Sequence, residues 1–441
     1  MNKEEVQVII GKALARSRAE HCEVMLVGAS QASTRFSNNA ITQNAAKSDA
    51  TLEVLSAFGQ KKGKASTNDF RDSGIASCVA KAEEIAKTSE PDTEYLPPVG
   101  PQTYKEGQAY YPATEGFTPE ERARAVRESC GLCEKAGLNL AGSFANDASF
   151  YAAGNSRGLS AFHRISESRY ISTVLTGDSS GWAESVSNDV AQVESLAATG
   201  IAKQKAEAAK NPVAVEPKKY TVILEPAAVV EMLLFMIFAM DAKAAHEGRS
   251  GFSGKEGQEV ASPLITFRNQ PDHPCCPGAP FYGGGWDWLF RVSNGMAVPS
   301  TTWIEKGVLK TLMYSRFWAE KTGHAFTGMP TNLILQGGDA SPEEMIAAVD
   351  SGLLVTRFWY IRYVDPMTLL FTGMTRDGLF KIEKGKVVHG VKNMRFNESP
   401  LAMLKNTMMV GKPSRTGMGG MPSLIPPLLV KDFTFTSGTS F

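Results

Sequence analysis

His246-Glu247 is the pair in this sequence whose chemistry would matter most. In a zinc-peptidase helix a second His follows one turn on, so that two imidazoles share a face and the Glu between serves as base. Here Gly248, Arg249, Ser250, Gly251 and Phe252 follow instead. No second His comes and two glycines disfavour a helix, so the pair reads as an isolated surface His-Glu. Cys130-Gly131-Leu132-Cys133 has the spacing of a redox or zinc-knuckle pair. It closes an expected helix without the second pair that structural zinc requires, and the adjacent Cys275-Cys276 would chelate zinc badly, so free thiols are expected. The glycine patches Gly283-Gly284-Gly285 and Gly417 to Gly420 lack a following Lys-Ser/Thr, so they read as loops and not as phosphate cradles. His21, His163, His273, His324 and His389 show no paired spacing.

The 441 residues that would position such groups carry 46 Lys+Arg against 46 Asp+Glu, and 43% of the side chains are apolar. That length predicts two or three domains with a packed core. A pI near 7.0 argues against nucleic acid as a partner and against a polybasic membrane-surface protein. Met1 to Glu20 carries early acids and no long apolar run, so it is read as an amphipathic first helix with Val6, Ile9, Ile10, Ala13 and Leu14 on one face. The greasiest stretch, Met232 to Met240, is half of what a bilayer needs. Six scattered Cys make no disulfide framework, so a cytoplasmic protein is expected.

The spacing predicts an α/β (α+β) chain with an N-terminal α/β domain, a middle segment and a β-rich C-terminal domain. The boundaries are residues 1–110 including a Pro-rich linker, 111–217, and 218–441. Cys22 to Val27 and Thr51 to Phe58 read as strands, the latter with Leu52, Val54 and Ser56 on one face. Asp72 to Thr88 and Asp189 to Lys210 are Ala-rich and helical. Thr118-Pro119-Glu120-Glu121 opens a helix with an N-cap, a Pro at the first position and acids in the first turn. Lys219 to Leu224 reads as a strand and Pro226 to about Ala245 as a buried helix. Beyond Gly254 come short strands with two echoing turns, Glu305-Lys306-Gly307 and Glu383-Lys384-Gly385.

Several stretches together resemble the TldD/PmbA (TldE) family, known also as modulators of DNA gyrase and as metallopeptidases. They are Thr34-Arg35-Phe36-Ser37-Asn38-Asn39 with Ile41, Asn155-Ser156-Arg157-Gly158, and Asp178-Ser179-Ser180-Gly181-Trp182. Glu216-Pro217 with Tyr220 to Pro226 follows, then Arg249 to Lys255 with Gly257 and Val260-Ala261-Ser262. Ile304 to Gly307, Thr372 to Gly378 and Ile382 to Lys386 complete the likeness.

The resemblance implies dimers enclosing a chamber, either a heterodimer with a TldD-like chain or a homodimer, acting on unfolded peptides such as leader segments and labile small proteins. It also implies zinc in the TldD-like subunit, held by two His of an HExxxH helix and a later Cys. Here that helix falls on Met232 to Phe238, with Leu233 and Phe238 roughly at the His positions and Thr416 to Met418 at the Cys position. Such side chains supply no zinc donor set. The expectation is therefore a metal-free TldE/PmbA-like subunit with no catalytic residue and no cofactor of its own. A self-standing peptidase using other groups, or a non-enzymatic peptide-binding homodimer, are the alternatives. Strand addition to a sheet edge is the expected peptide mode. Arg35, Asn38, Asn39, Ser250, Gly251, Phe252, Gly254, Thr375, Arg376 and Asp377 are the candidate interface or peptide-lining residues, with turn and capping work as the competing role.

Overall fold

Two runs of helix, three strands and helix build the first half of the chain. A computed structural model describes residues 1–283, 294–418 and 420–439. The first run is α1 (Lys3–Arg16), β1 (His21–Ser37), β2 (Ala40–Phe58), β3 (Lys61–Thr67) and α2 (Asp72–Thr88). After a Pro-rich stretch and the one-turn α3 (Pro112–Glu115) comes the second: α4 (Pro119–Glu134), β4 (Asn139–Asn155), β5 (Ser160–Leu175), β6 (Ser180–Ser187) and α5 (Ser195–Ala208). The strands join in one antiparallel sheet of order β3-β2-β1-β4-β5-β6. That order is mirrored about the β1–β4 pair, so an approximate two-fold relates the halves. The division expected near residue 110 falls between β3 and β4 of this sheet.

Local chemistry sets the helix ends. Thr118 accepts the Glu121 N–H, and the Glu121 side chain reaches back to the Thr118 N–H. Asn2 and Glu5 do the same for α1. Such reciprocal caps satisfy two otherwise orphan donors. The strands run far beyond Cys22 to Val27 and Thr51 to Phe58. Between those runs lie Gly, Ala, Ser, Asn and Gln without alternation, held extended because β1 is paired with β4 from Glu23↔Asn155 to Phe36↔Gly142. Asn38 and Asn39, at φ 50° and 59°, make the two-residue turn between β1 and β2.

One face of the sheet carries the helices. Val24, Leu26, Leu52 and Val54 pack against Val6, Ile10, Ile75 and Val79, while Leu140, Phe144, Tyr170 and Val174 pack against Val126 and Ala202. The opposite face presents Met25, Ala153 and Ala161 to Phe281 of the second half.

The second half supplies β7 (Lys219–Leu224), α6 (Pro226–Phe238), α7 (Ala242–His246), β8 (Phe267–Asn269), β9 (Thr301–Glu305), β10 (Val308–Leu309) and β11 (Leu333–Leu335). Next come β12 (Ser351–Asp365), β13 (Leu370–Glu383), β14 (Lys386–Gly390), β15 (Met394–Glu398) and β16 (Thr407–Val410). The last are β17 (Ser414–Thr416), β18 (Ser423–Ile425) and β19 (Leu428–Gly438). The order β12-β7-β19-β15-β13, with β13 pairing back onto β12, closes a barrel; β14 and β16 attach at its margin. A second sheet, β10-β9-β8-β11-β18-β17, lies beside it. The family-like architecture is thus α/β in the first half and β-rich, with a barrel, in the second. The expected Lys-Gly turns are present, with φ of 45° and 84° at Lys306-Gly307 and 50° and 72° at Lys384-Gly385.

The buried helix is shorter than its apolar run suggests. Asp241 accepts the Ala244 N–H and starts α7 afresh, while Met240 and Ala242 pair with Met313. Among the described residues no helix is long and apolar enough to cross a membrane.

The two-fold explains one pair of glycines. A Cβ on Gly63 of β3 would lie 2.2 Å from Ala82 O of α2, and one on Gly181 of β6 would lie 2.1 Å from Ala202 O of α5. Each outer strand touches its helix backbone to backbone. Gly181→Ala should therefore force strand and helix apart and cost about 1–3 kcal/mol, read as a lowered thermal unfolding midpoint. The same change at Gly177, where a Cβ meets nothing within 4 Å, should leave that midpoint unmoved.

Candidate functional site

α6 starts because Pro226 occupies its first turn, and it persists because Ala, Val, Met and Leu follow in helical register. It lies between the barrel and the second sheet, against β7, β12, β17 and β18. Leu233 and Met236 are wholly buried, Phe238 packs at the edge of the same core, and Met418 and Met421 join it from beyond β17. Where the family resemblance implies imidazoles, this helix carries hydrocarbon.

The third implied position is engaged elsewhere. Thr416 donates its hydroxyl proton to Glu184 Oε1, and the Gly417 N–H donates to the same oxygen at 3.2 Å. Glu184 Oε2 accepts from Arg169 Nε at 2.8 Å. The residue at the implied Cys position thus ties the second sheet to β6 of the first half. A zinc ion needs three or four N, S or O donors converging on one point. Leu233 and Phe238 have none, and the Thr416 hydroxyl is turned to a carboxylate, so these residues do not fit zinc. Among the described residues no group of three or more His, Cys, Asp or Glu could hold a metal ion.

Next to this apolar wall runs an ionic seam. Glu231, on α6, accepts the Phe358 N–H at 3.0 Å and faces the Arg357 guanidinium. Burial outweighs both stabilising influences and pushes the Glu231 carboxyl up to about 8. Arg357 Nε donates to Asp377 at 2.9 Å, and Ser180 of β6 donates to the other Asp377 oxygen at 2.8 Å. The Arg357 guanidinium also stands 5.5 Å from the Trp182 ring. Lys205 of α5 pairs with Glu225, just before α6, at 2.6 Å. Further along the sheet face, burial and the neighbouring Glu167 raise Asp147 to about 6.

The seam opens into a groove of about 740 Å³ whose walls include Asp178, Ser179, Ser180, Asn211, Gly378 and Asn393. Two of the stretches that carry the family resemblance, Asp178 to Trp182 and Thr372 to Gly378, therefore meet here.

The structure divides the candidate residues. Asp377 is brought to Ser180 and Arg357. Thr375 is buried and accepts the Met394 N–H at 3.0 Å, and Arg376 lies with its guanidinium 4.5 Å from the Trp359 ring. Asn39 is turned to β4, donating to Leu138 O and accepting the Leu140 N–H, while Asn38 and Arg35 are exposed at that hairpin. Ser250 caps α6 through Ala239 O, and Phe252 enters the core. A Cβ on Gly251 would lie 2.6 Å from Leu369 Cγ, and Gly254 has φ 68°.

The pairs weighed from sequence are placed as well. Trp318 Nε1 donates to His246 Nδ1 and His246 Nε2 donates to Tyr314 Oη, both at 3.1 Å, while Glu247 is paired with Arg249. Tyr314 in turn donates to Glu256 at 2.8 Å. All six cysteines are free thiols; Cys130, Cys133 and Cys276 are buried and Cys275 is exposed. Gly283 has no room for a Cβ beside Met25, while Gly284, Gly285 and Gly419 lie outside the described residues. Glu231, Glu184 and Arg357 were not singled out from sequence; only Glu231 left a signal, as the one acid in an apolar helix.

Residues 217–437, half of the chain, match the family profile described as the PmbA/TldA metallopeptidase C-terminal domain. The chain belongs to this PmbA/TldD family. It is 28% identical over 198 residues to a protein named metalloprotease from Methanothermobacter thermautotrophicus, a match spanning 40% of that protein's length. TldE from Thermococcus kodakarensis shares the fold with a TM-score of 0.85 at 16% identity, over 98% of this chain and 99% of that one. A candidate modulator of a DNA gyrase from Thermotoga maritima does so with a TM-score of 0.86 at 18% identity, over 98% and 100%. A further one from Bacteroides thetaiotaomicron gives 0.82 at 19%, covering 99% of each chain.

Two outcomes test the seam. The folded Glu231 holds its proton above its ordinary value of 4.5, so the stability it contributes is complete below that pH and is lost as pH rises through about 8. Glu231→Gln cannot titrate, so the melting temperature of the wild type relative to this variant should fall steadily from about pH 5 to about pH 9. Arg357 is 15% exposed and Asp377 7%. Arg357→Met leaves that buried carboxylate with only Ser180 and the more distant Arg376, and should cost about 1–3 kcal/mol, read as a drop in unfolding temperature at pH 7.

Proposed function

We propose that this chain is the metal-free, TldE-like half of a two-subunit peptidase. It pairs with a zinc-bearing TldD-like chain, completes the chamber between them, and holds an unfolded polypeptide for its partner to cut. The observation that carries this reading is the hydrocarbon at Leu233 and Phe238, together with the commitment of Thr416 to Glu184. A helix buried in this way can support a wall of a chamber and cannot polarise a carbonyl. The fold shared with TldE from Thermococcus kodakarensis supports the same assignment.

A polypeptide held for cleavage must be extended, and the sheets of the second half suit that conformation. Backbone hydrogen bonds to a strand edge give sequence tolerance, which labile proteins and leader segments require of their protease. The groove between Asp178 and Gly378 lies on the junction of the two halves and supports a role in guiding the chain inward. His246 is not available as a general base in this reading, since both its ring nitrogens are occupied by Trp318 and Tyr314.

Co-expression with an intact HExxxH relative from the same genome tests the proposal. The two chains should co-purify, and an unstructured peptide should be cut by the pair and not by this chain alone. Metal analysis should find zinc in proportion to the partner only. Stoichiometric zinc in the isolated chain, or cleavage by it, would overturn the assignment.

A further inference from the structure

The barrel carries along β12 a partly exposed cluster of aromatic rings and guanidinium groups, of which Arg362 Nη1 donates to Ile361 O at 2.7 Å. Between Trp359↔Met374 and Arg362↔Thr372 the register of β12 on β13 slips, leaving Tyr360 and Ile361 opposite a single residue. Tyr360 takes φ 59°, a conformation that a bulky side chain adopts only under constraint from its surroundings. The bulge turns Trp359 and Tyr360 outward together, with ring centroids 5.6 Å apart. Tyr360 is 59% exposed and Trp359 39%, and Tyr363, Val364 and Met367 extend the exposed surface. Tyr363 donates its hydroxyl proton to Phe235 O, which anchors this surface directly on α6.

Three arginines border the rings. Arg362 stands 4.2 Å from the centre of the Tyr360 ring and Arg376 4.5 Å from that of Trp359. Arg395, on β15, is directly opposite Met374. Among the described residues neither Arg362 nor Arg395 has a carboxylate within ion-pair distance. Arg376 reaches only Asp377, at 3.8 Å, whose oxygens are already held by Arg357 and Ser180. The nearby Asp365 is occupied by Thr368 and the Met367 N–H. The face is positive in a chain whose net charge is zero.

We infer that this face docks acidic stretches of an extended polypeptide, an inference that rests on the peptide-holding role proposed above. Guanidinium groups laid on rings present their free N–H edges in a plane, which matches the two oxygens of a carboxylate. The rings beside them suit the apolar side chains that alternate with acids along a strand, and Trp, Tyr and Arg are the residues that dominate binding energy at such surfaces. The chain lacks the overall basic excess that a nucleic-acid partner would require.

Fluorescence anisotropy on the full chain decides the matter, with unstructured peptides of equal length and equal apolar content whose charged positions are all Glu or all Lys. The Glu peptide should bind at least about tenfold more tightly, and added salt should erode the difference. Arg362→Glu with Arg376→Glu should reverse the preference, gaining affinity for the Lys peptide, a gain that misfolding cannot produce. Equal binding of both peptides, or no reversal, would sink this inference and leave the peptide-holding role standing. No binding of any peptide would remove both. An oligothymidylate bound as tightly as the Glu peptide, or a change of oligomeric state caused by the reversal, would assign the face to another occupant and overturn it.

Discussion

Burial of most of α6, with the row Glu231, Leu234, Phe235 and Phe238 left half-buried, is the constraint from which the rest of the second half follows. A helix in that position can bring almost no charge with it, because each unpaired ion would lose its hydration. It carries one acid. Val229, Val230, Met232, Leu233, Met236 and Ile237 are otherwise buried together, a contribution on the order of ten kcal/mol before the entropy of ordering is set against it. The barrel and the second sheet close on this hydrocarbon.

The ionic seam complements that apolar contact by giving the two halves an orientation. Hydrocarbon packing is non-directional, whereas Arg357 held between Asp377 and Glu231, with Ser180 on the far side of Asp377, is satisfied in one relative placement. Thr416 on Glu184 and Lys205 on Glu225 fix the same junction at two further points. Buried ion pairs add little net stability over a hydrophobic replacement, so positioning is the better account of their presence. The uphill shift of Glu231 is the physical trace of that arrangement: its desolvation is only partly offset by Arg357 and the Phe358 N–H.

Local features were legible in the residues, and distant ones were not. The Thr118 cap, the Lys-Gly turns and the start of the apolar α6 each depend on chemistry within a few positions, and each is where the spacing puts it, although α6 ends at Phe238 and not near Ala245. The long strands β1 and β2 were legible only at their apolar ends, since the small polar residues between them are held by pairing and not by alternation. The internal two-fold leaves only sparse marks, such as Gly63 and Gly181, that spacing cannot recognise. The seam is the extreme case, because Thr416 and Glu184 are 232 positions apart and Ser180 and Asp377 are 197 apart. The family resemblance located four of the seam residues inside matching stretches, Ser180, Trp182, Glu225 and Asp377, but could not say that they meet.

The same geometry explains why an apolar helix and a charged outer face belong to one molecule. Tyr363 links them: its hydroxyl is bonded to the backbone of α6, and its ring packs edge-on against Phe235 and Phe371. A rigid α6 therefore supports the strand from which Trp359 and Tyr360 project. The apolar core around α6 and the cation-rich aromatic platform are, on this argument, two consequences of one packing arrangement.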